Sequence, residues 1–322
     1  MRNVPASFFG MPLGLLALGI AWQLSATIWG TPRSIGEVLV YSGAGLWAML
    51  FCSYIGKWIF QRAAAETEFA HPVQCCFVGL GGVVGLLASI GIGPRSHALA
   101  LALFFIGASW TLAFALYRTG GLWTGGRSPE ATTPILYLPT VAGSLVAASA
   151  ATALGHAEWG QLAFGAGFFS WLAIESVLLH RLYTSPAMQP ALRPALGIQL
   201  APPAVAAVAY LNVGGGAPDL VAHALIGYAI LQALILIRML PWLREAGASP
   251  AWWGFSFGAA ALPTAAMKLV ARGDTGPAAS LAPWLFAAGN LAIATIALMT
   301  VRLLLQGKLM PGTVTKAAAR LA

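Results

Sequence analysis

Charged residues are scarce in this chain: they make up 8% of its 322 residues, whereas 59% are hydrophobic. Soluble domains carry about 25% charged residues, so the composition excludes an ordinary water-soluble domain. Cysteine is scarce as well. The three that occur, Cys52, Cys75 and Cys76, lie inside apolar runs, which argues against a disulfide framework or a metal site. The scarcity of charged residues and the high hydrophobic content therefore indicate an integral membrane protein.

Several functional motifs are missing too. The sequence contains no nucleotide-binding loop, nucleophile elbow or paired-carboxylate site, so we expect neither an enzyme nor an ATP-driven pump, and no cofactor or metal. The formal net charge is +8, but the basic residues are scattered singly between apolar runs. That distribution favours a lipid bilayer over nucleic acid as the partner.

Ten apolar runs of about 20 residues, each long enough to cross a bilayer, occupy most of the chain. They cover residues 7–28, 35–60, 72–92, 98–117, 134–154, 160–182, 195–211, 220–240, 251–270 and 281–305. Short glycine-rich connections alternate with longer, more charged ones. This alternation predicts an all-α integral membrane protein whose ten transmembrane helices form five helical hairpins. We expect a transmembrane channel domain over 1–306, with the first run retained rather than cleaved, and a cytoplasmic tail over 307–322.

The basic residues are distributed unequally between the two predicted faces. The face that holds both termini carries thirteen of the 17 Lys and Arg, and the other face carries Arg33, Arg95, Lys268 and Arg272. By the positive-inside rule the richer face is cytoplasmic. We therefore expect both termini in the cytoplasm of a multi-pass protein.

Prolines and glycines are concentrated in the odd-numbered runs. Pro12, Pro139, Pro202 and Pro263 are predicted to kink these helices, and the neighbouring glycines remove side-chain bulk. Five parallel helices of this kind, surrounded by five bulkier ones, would line a central pore. Simple close packing is the alternative, because both residue types are common in transmembrane helices.

The ninth run combines small residues with two aromatic ones. Gly254 and Gly258 offer almost no bulk, whereas Phe255 and Phe257 would stand out from a smooth wall. We interpret this run as the pore-lining helix that decides conduction. A packed helix with an ordinary proline kink is the alternative.

Motifs along the chain resemble the tellurite-resistance/dicarboxylate transporter family, which includes the bacterial TehA proteins and the plant guard-cell slow anion channels. The likeness runs from the first span to the tenth and rests on FFGMPLGLLALGIAW (8–22), HPV (71–73), YLPTVAG (137–143), FGAGFFSWLAIESVLLHRL (164–182), GIQLAPPAVAAVAYL (197–211), GYAILQALILIRMLPW (227–242) and WWGFSFG (252–258).

The resemblance implies a homotrimer in the bacterial inner membrane, with a pore in each subunit and a link to tellurite resistance. It also implies that a phenylalanine of the ninth helix closes the pore, and Phe257 occupies the matching position in FSFG. The double proline Pro202-Pro203 departs from the family pattern, where one proline is usual, and leaves the local pore diameter open.

Two ionisable residues are further candidates at the pore or its mouth. Glu175 lies deep in the sixth run, where an acid is either a proton relay or substrate counter-ion, or a structural hydrogen-bonding group, which we favour. His71 precedes Pro72 at the predicted cytoplasmic mouth. It could attract anions or sense pH, or it could cap the helix.

Two functions fit these features. The first is a passive, gated channel for small inorganic or organic anions, because no acid lies between the ends of the odd runs. The alternative is a secondary carrier of dicarboxylates or oxyanions, possibly proton-coupled, which needs a titratable partner near the midplane. Glu175 is the single acid available for that role.

Overall fold

The computed structural model describes residues 4–309, which fold into α-helices with short 3₁₀ segments and no β-strand. The α-helices are α1 (Gly10–Trp29), α2 (Arg33–Phe60), α3 (Arg62–Ala70), α4 (Cys76–Ile92), α5 (His97–Trp123), α6 (Gly143–Ala153), α7 (Ala157–Thr184), α8 (Ala201–Val213), α9 (Leu220–Arg244), α10 (Ser256–Ala271) and α11 (Pro277–Leu305). The all-helical prediction is confirmed for these residues.

Nine helical segments of the described chain are long and apolar enough to cross a membrane, and they match nine of the ten predicted runs. The third run is different. Its α-helix, α4, has 17 apolar residues, because residues 72–75 before it form a turn.

Burial divides the spanning helices into two sets. In the most apolar windows of Ala6–Trp29, Pro134–Ala153, Pro190–Val213 and Pro250–Ala271, 56–83% of the residues are buried, and α4 is buried at all but two positions. The corresponding windows of α2, α5, α7, α9 and α11 are only 22–33% buried. We call α1, α4, α6, α8 and α10 the inner helices and the other five spanning helices the outer helices.

Contacts between helices follow the same division. Each inner helix packs against the outer helix that follows it in the chain: α1 on α2, α4 on α5, α6 on α7, α8 on α9 and α10 on α11. The inner helices also contact one another in a closed cycle: α1 with α4, α4 with α6, α6 with α8, α8 with α10 and α10 with α1. We call the side where the inner spans begin the N-terminal face, and the opposite side the far face.

Four of the five inner spans begin irregularly. A 3₁₀ segment precedes α1 (Ala6–Phe9), α8 (Pro190–Leu200) and α10 (Pro250–Phe255), and a π-helical turn (Leu138–Ala142) precedes α6. At the far face, the helix ends carry ordinary stop and start signals. Gly30 adopts a left-handed φ of 66° after α1, and the Asp219 carboxylate accepts the Ala222 N–H at 3.0 Å to cap α9.

The short helix α3 lies at the N-terminal face and was not predicted from the sequence. Its Glu68 accepts hydrogen bonds from Lys57 Nζ at 2.6 Å and from the Ala6 N–H at 2.8 Å. One carboxylate therefore joins α3 to the end of α2 and to the start of the first span. Of the predicted tail 307–322, residues 310–322 lie outside the described part of the chain.

Candidate functional site

Two cavities lie among the inner helices. The large cavity has a volume of about 1080 Å³ and is lined by the early residues of all five inner spans, by α3 and by residues after α11. The small cavity has a volume of about 220 Å³ and is lined by later residues of the same five spans. No residue of an outer helix is among the described residues that line either cavity. The cavities therefore follow one another from the N-terminal face towards the far face.

Phe257 and Val205 line both cavities, so they form part of the wall between them. Phe257 is 6% exposed and is the second residue of α10. Six 3₁₀ residues precede α10, and the 3₁₀ rise of about 2.0 Å per residue exceeds the α-helical rise of about 1.5 Å. Phe257 thus lies roughly 14 Å along its span, deeper than the ~10 Å of a uniform α-helix. If the hydrocarbon core, about 30 Å thick, begins near Pro250, this depth is near its middle.

One face of α10 reaches the small cavity. Its lining residues are Phe257, Ala261, Thr264 and Lys268, which are spaced by four, three and four positions. At about 100° per residue, these side chains fall within a sector of roughly 60°. The same helical face therefore carries the aromatic ring at one end and a lysine at the other.

Phe255 and Gly258, the neighbours of Phe257 in sequence, line neither cavity. The Phe255 ring lies against the backbone of Gly197 and stacks on Trp252 with ring centroids 5.4 Å apart. Gly258 faces the start of α8, where an added Cβ would lie 2.7 Å from Leu200 Cγ. Gly258 is thus a packing position that lets α8 and α10 approach, and Phe255 fills the same interface.

The four prolines predicted to kink the inner helices lie in different surroundings. Pro202 lines the large cavity, whereas Pro12, Pro139 and Pro263 line neither cavity. Pro12 and Pro202 occupy the first turns of α1 and α8, where the missing N–H has no intrahelical partner to lose, and Pro139 lies in the π-helical turn. The irregular starts of the spans take the place of the expected kinks.

Pro263 is the one of these four that interrupts a helix. It lies inside α10, where it cannot donate to the carbonyl of Ala259. That carbonyl lies against Gly289 of α11, and the Pro263 Cγ is 3.4 Å from the place a Cβ of Gly289 would occupy. The interruption therefore faces the outer helix α11, and Gly289 provides the space for it.

Glu175 is 9% exposed and accepts hydrogen bonds from four side chains. Tyr137 Oη and Trp171 Nε1 (3.0 Å) donate to Oε2, while Gln199 Nε2 (3.1 Å) and Tyr228 Oη (2.8 Å) donate to Oε1. A carboxylate offers about four lone-pair sites, so the four donors fully satisfy it. Glu175 lines neither cavity, but its partner Tyr137 lines the large one. The carboxylate joins the outer helices α7 and α9 to two inner spans.

His71 lines the large cavity at the N-terminal face. Its Nδ1 accepts the backbone N–H groups of Val73 and Gln74, both at 3.1 Å, and so caps the turn before α4. Burial lowers the pKa of this imidazole, and the nearby Glu68 carboxylate partly opposes that shift. The ring is therefore neutral at pH 7 and acts here as a hydrogen-bond acceptor.

Two residues of the site were not singled out in the sequence. Val205 is one of three valines in a largely apolar helix, and nothing in the sequence distinguishes it from its apolar neighbours. Tyr137 stands in the YLPTVAG motif, where its hydroxyl is a polar group at the edge of an apolar run. Since buried hydroxyl groups need hydrogen-bond partners, the tyrosine of that motif was the available sequence signal for the hydrogen bonds around Glu175.

Comparison with known proteins shows which family the chain resembles. The profile of the SLAC1 family, described as voltage-dependent anion channel, matches residues 3–301. The tellurite resistance protein TehA homolog of Haemophilus influenzae is 33% identical over 306 residues, which cover 95% of this chain and 92% of that protein. The S-type anion channel SLAH2 of Arabidopsis thaliana is 25% identical over 83% of this chain and 53% of its own length. An uncharacterized transporter of Methanocaldococcus jannaschii, MJ0576, is 20% identical over 80% of this chain and 81% of its own length.

The family match covers nearly the whole described chain, and the alignment with the TehA homolog covers 95% of the full sequence. This chain belongs to the SLAC1 family of anion channels and transporters.

Proposed function

We propose that the protein is a gated anion channel in which ten spanning helices form five hairpins around a central pore, and that Phe257 closes this pore. The two cavities are the two halves of the pathway, and the ring of Phe257 separates them. The observation that carries the proposal is that Phe257 lines both cavities while its neighbour Phe255 lines neither.

The closed cycle of inner helices supports a pore enclosed within one chain. Apolar side chains predominate where the two cavities meet, at Phe257 and Val205. An apolar constriction of this kind closes a pathway by excluding water as well as by steric block. Burial of a phenylalanine side chain contributes about 1.5 to 3 kcal/mol, enough to hold the constriction closed yet within reach of a regulatory signal.

The distribution of acids favours a channel over a proton-coupled carrier. Among the described residues, Glu68 at the N-terminal face is the single acid that lines the large cavity, and the small cavity has none. Glu175, the acid a carrier would use, is held by four donors outside both cavities. The pathway thus offers a permeating anion no fixed negative charge near its midpoint.

The remaining features of the proposal concern assembly and location. Residues 1–306 form the channel domain and 307–322 a cytoplasmic tail, the N-terminal face is cytoplasmic, and the protein is a homotrimer of the bacterial inner membrane. The excess of basic residues at the N-terminal face supports this orientation. The name of the Haemophilus influenzae relative links the protein to tellurite resistance.

Current recording tests the gate. Purified wild type, Phe257→Ala and Phe255→Ala would be incorporated into planar bilayers, with chloride, nitrate and sulfate exchanged in turn. Because 1.5 kcal/mol corresponds to about a tenfold change in an equilibrium, Phe257→Ala should increase anion current about tenfold or more.

Phe255→Ala is the matched control, since it removes the same side chain two residues away from a position outside both cavities. It should leave the current close to that of the wild type. Equal currents from wild type and Phe257→Ala, in protein shown to be folded and inserted, would refute the gate assignment. Saturable exchange without ohmic current would favour the carrier.

A labelling experiment tests the orientation. A cysteine introduced at Ala319 should react with a membrane-impermeant maleimide only after the cytoplasmic side is opened. Labelling of intact cells from outside would show the opposite orientation.

A further inference from the structure

Lys268 differs from every other cation of the far face. Arg33 and Arg95 both pair with Glu37, and Arg272 donates to backbone carbonyls in the last turn of α8 and just after it, including that of Gly214 at 2.7 Å. Within residues 4–309, Lys268 has no ion-pair or hydrogen-bond partner, and its side chain lines the small cavity. A partly buried ammonium group that no protein group pairs is energetically costly, so this position favours the binding of an anion.

The other polar side chains that line the small cavity differ in whether their hydrogen-bond donors already have a partner. The hydroxyls of Ser149, Thr152 and Thr264 donate to carbonyls of their own helices, at 3.4, 2.9 and 2.7 Å. Asn212 on α8 has no partner within the described chain. Its amide and the Lys268 ammonium are therefore the two groups with uncommitted donors, and they lie on the adjacent helices α8 and α10.

We propose that Lys268 and Asn212 form a binding site for a small monovalent inorganic anion in the small cavity, on the far side of Phe257. The single positive charge balances one negative charge and leaves a dianion half-compensated. The remaining lining is apolar or consists of hydroxyls already bonded to their own helices, and includes Ala17, Ile20, Leu87 and Ile90. Such a lining favours anions that lose their hydration easily, such as nitrate, over strongly hydrated ones such as fluoride.

Lys268 lies eleven residues beyond Phe257 on the same face of α10, a rise of roughly 16 Å. An anion held there lies in the pathway but does not touch the ring that closes it. The site therefore concentrates anions behind the gate and raises the supply of ions once the gate opens. This inference extends the proposed channel function, but binding at the site does not depend on conduction.

Binding is measured first without any current. Purified wild-type protein would be melted in sodium nitrate mixed with sodium gluconate at constant ionic strength. Nitrate should raise the melting temperature with saturation, because a ligand that binds only the folded state stabilises it. Lys268→Gln should weaken the apparent affinity for nitrate about tenfold or more, as expected when a charged hydrogen-bond donor is lost. Asn212→Leu should weaken it less.

Two controls separate this site from general charge effects. Arg33→Gln removes one positive charge from the same face but outside both cavities, and should retain the nitrate response. Lys268→Arg keeps the charge and should retain most of it. An identical nitrate response in wild type and Lys268→Gln, or no response in the wild type, would overturn the proposal.

Currents then distinguish this proposal from the proposed function. In the Phe257→Ala background, Lys268→Gln should raise the nitrate concentration that gives half-maximal current by a similar factor. If nitrate binding depends on Lys268 but Phe257→Ala carries no current, the site stands and the channel assignment fails. If Phe257→Ala conducts and Lys268→Gln leaves the half-maximal concentration unchanged, the channel stands and the site fails.

Discussion

Helices α7 and α10 are both apolar, yet they use polar residues in opposite ways. On the inner helix α10, Thr264 and Lys268 face the small cavity together with Phe257. On the outer helix α7, Glu175 turns away from both cavities and from the exposed apolar surface, into a network of side chains between helices.

Hydropathy does not reveal this difference, because it averages over the faces of a helix. Both spans are apolar enough to cross a membrane, but 22% of the most apolar stretch of the α7 span is buried and 67% of that of the α10 span. In the proposed channel, a polar residue in a spanning helix therefore serves permeation or stability according to the surface it faces. We expect changes on the cavity face of α10 to alter permeation, and changes at the buried face of α7 to alter stability.

Truncation of Glu175 should have the largest effect on stability. Glu175→Ala would leave four buried donors, from Tyr137, Trp171, Gln199 and Tyr228, without their acceptor, at a cost of about 3 kcal/mol or more. The measurement is thermal melting of the purified protein, with gel filtration to follow assembly. A melting temperature equal to that of the wild type would show that the network contributes little.

A methyl group at Gly258 should have the next largest effect. Its Cβ would lie 2.7 Å from Leu200 Cγ and 2.9 Å from the Ala201 backbone nitrogen, so Gly258→Ala should destabilise the α8–α10 contact by about 1 to 3 kcal/mol. Gly227→Ala on α9 is the matched control, because no atom lies within 4 Å of its added Cβ. That control should be neutral or slightly stabilising, since alanine favours the helix. Equal melting temperatures for the two variants would contradict the tight contact.

Glu175→Gln should have a smaller effect, because it keeps the size and one acceptor oxygen of the side chain while removing the charge. We expect a loss of about 1 kcal/mol and an anion current in the Phe257→Ala background with unchanged pH dependence. Abolished transport in well-folded Glu175→Gln protein would instead indicate a proton-coupled carrier.

The smallest effect should come from protonation of His71. Burial lowers the pKa of the folded imidazole below its ordinary value of about 6.5, so the unfolded chain takes up the proton first as the pH falls. The stability that the neutral ring contributes is complete above about pH 6.5 and declines as the pH falls towards the lowered pKa. Melting curves between about pH 7.5 and 5 should decline less for His71→Gln than for the wild type. Parallel curves would exclude this contribution.

The apolar runs located the spans well, because a bilayer core imposes a length that composition alone reveals. Helix α3 was not predicted from the apolar runs, because Arg62–Ala70 is short and polar. Its position depends on the contacts of Glu68. The shortening of α4 was not predicted either, because hydropathy does not distinguish the turn at 72–75 from a helix.

Side-chain direction was only partly predictable. The angle of about 200° between residues two positions apart separates Phe257 from Phe255 on any α-helix, so the sequence was enough to expect different surroundings for the two rings. The prolines were harder to interpret, because a proline in a first turn and a proline inside a helix look alike in sequence. The role of Lys268 depends on which neighbouring cations already have partners, and only the packed structure contains that information.

In the proposed channel, the unequal volumes on the two sides of Phe257 have a consequence for molecules that are too large to permeate. A cavity of about 1080 Å³ admits a bulky organic anion, whereas one of about 220 Å³ has room for only a few small ions or water molecules. Such an anion added at the N-terminal face should reach the ring of Phe257 and block the anion current there. The block should be stronger when the voltage drives the anion inward from that face. The same compound at the far face should stop short of the ring, so the protein should be blocked asymmetrically.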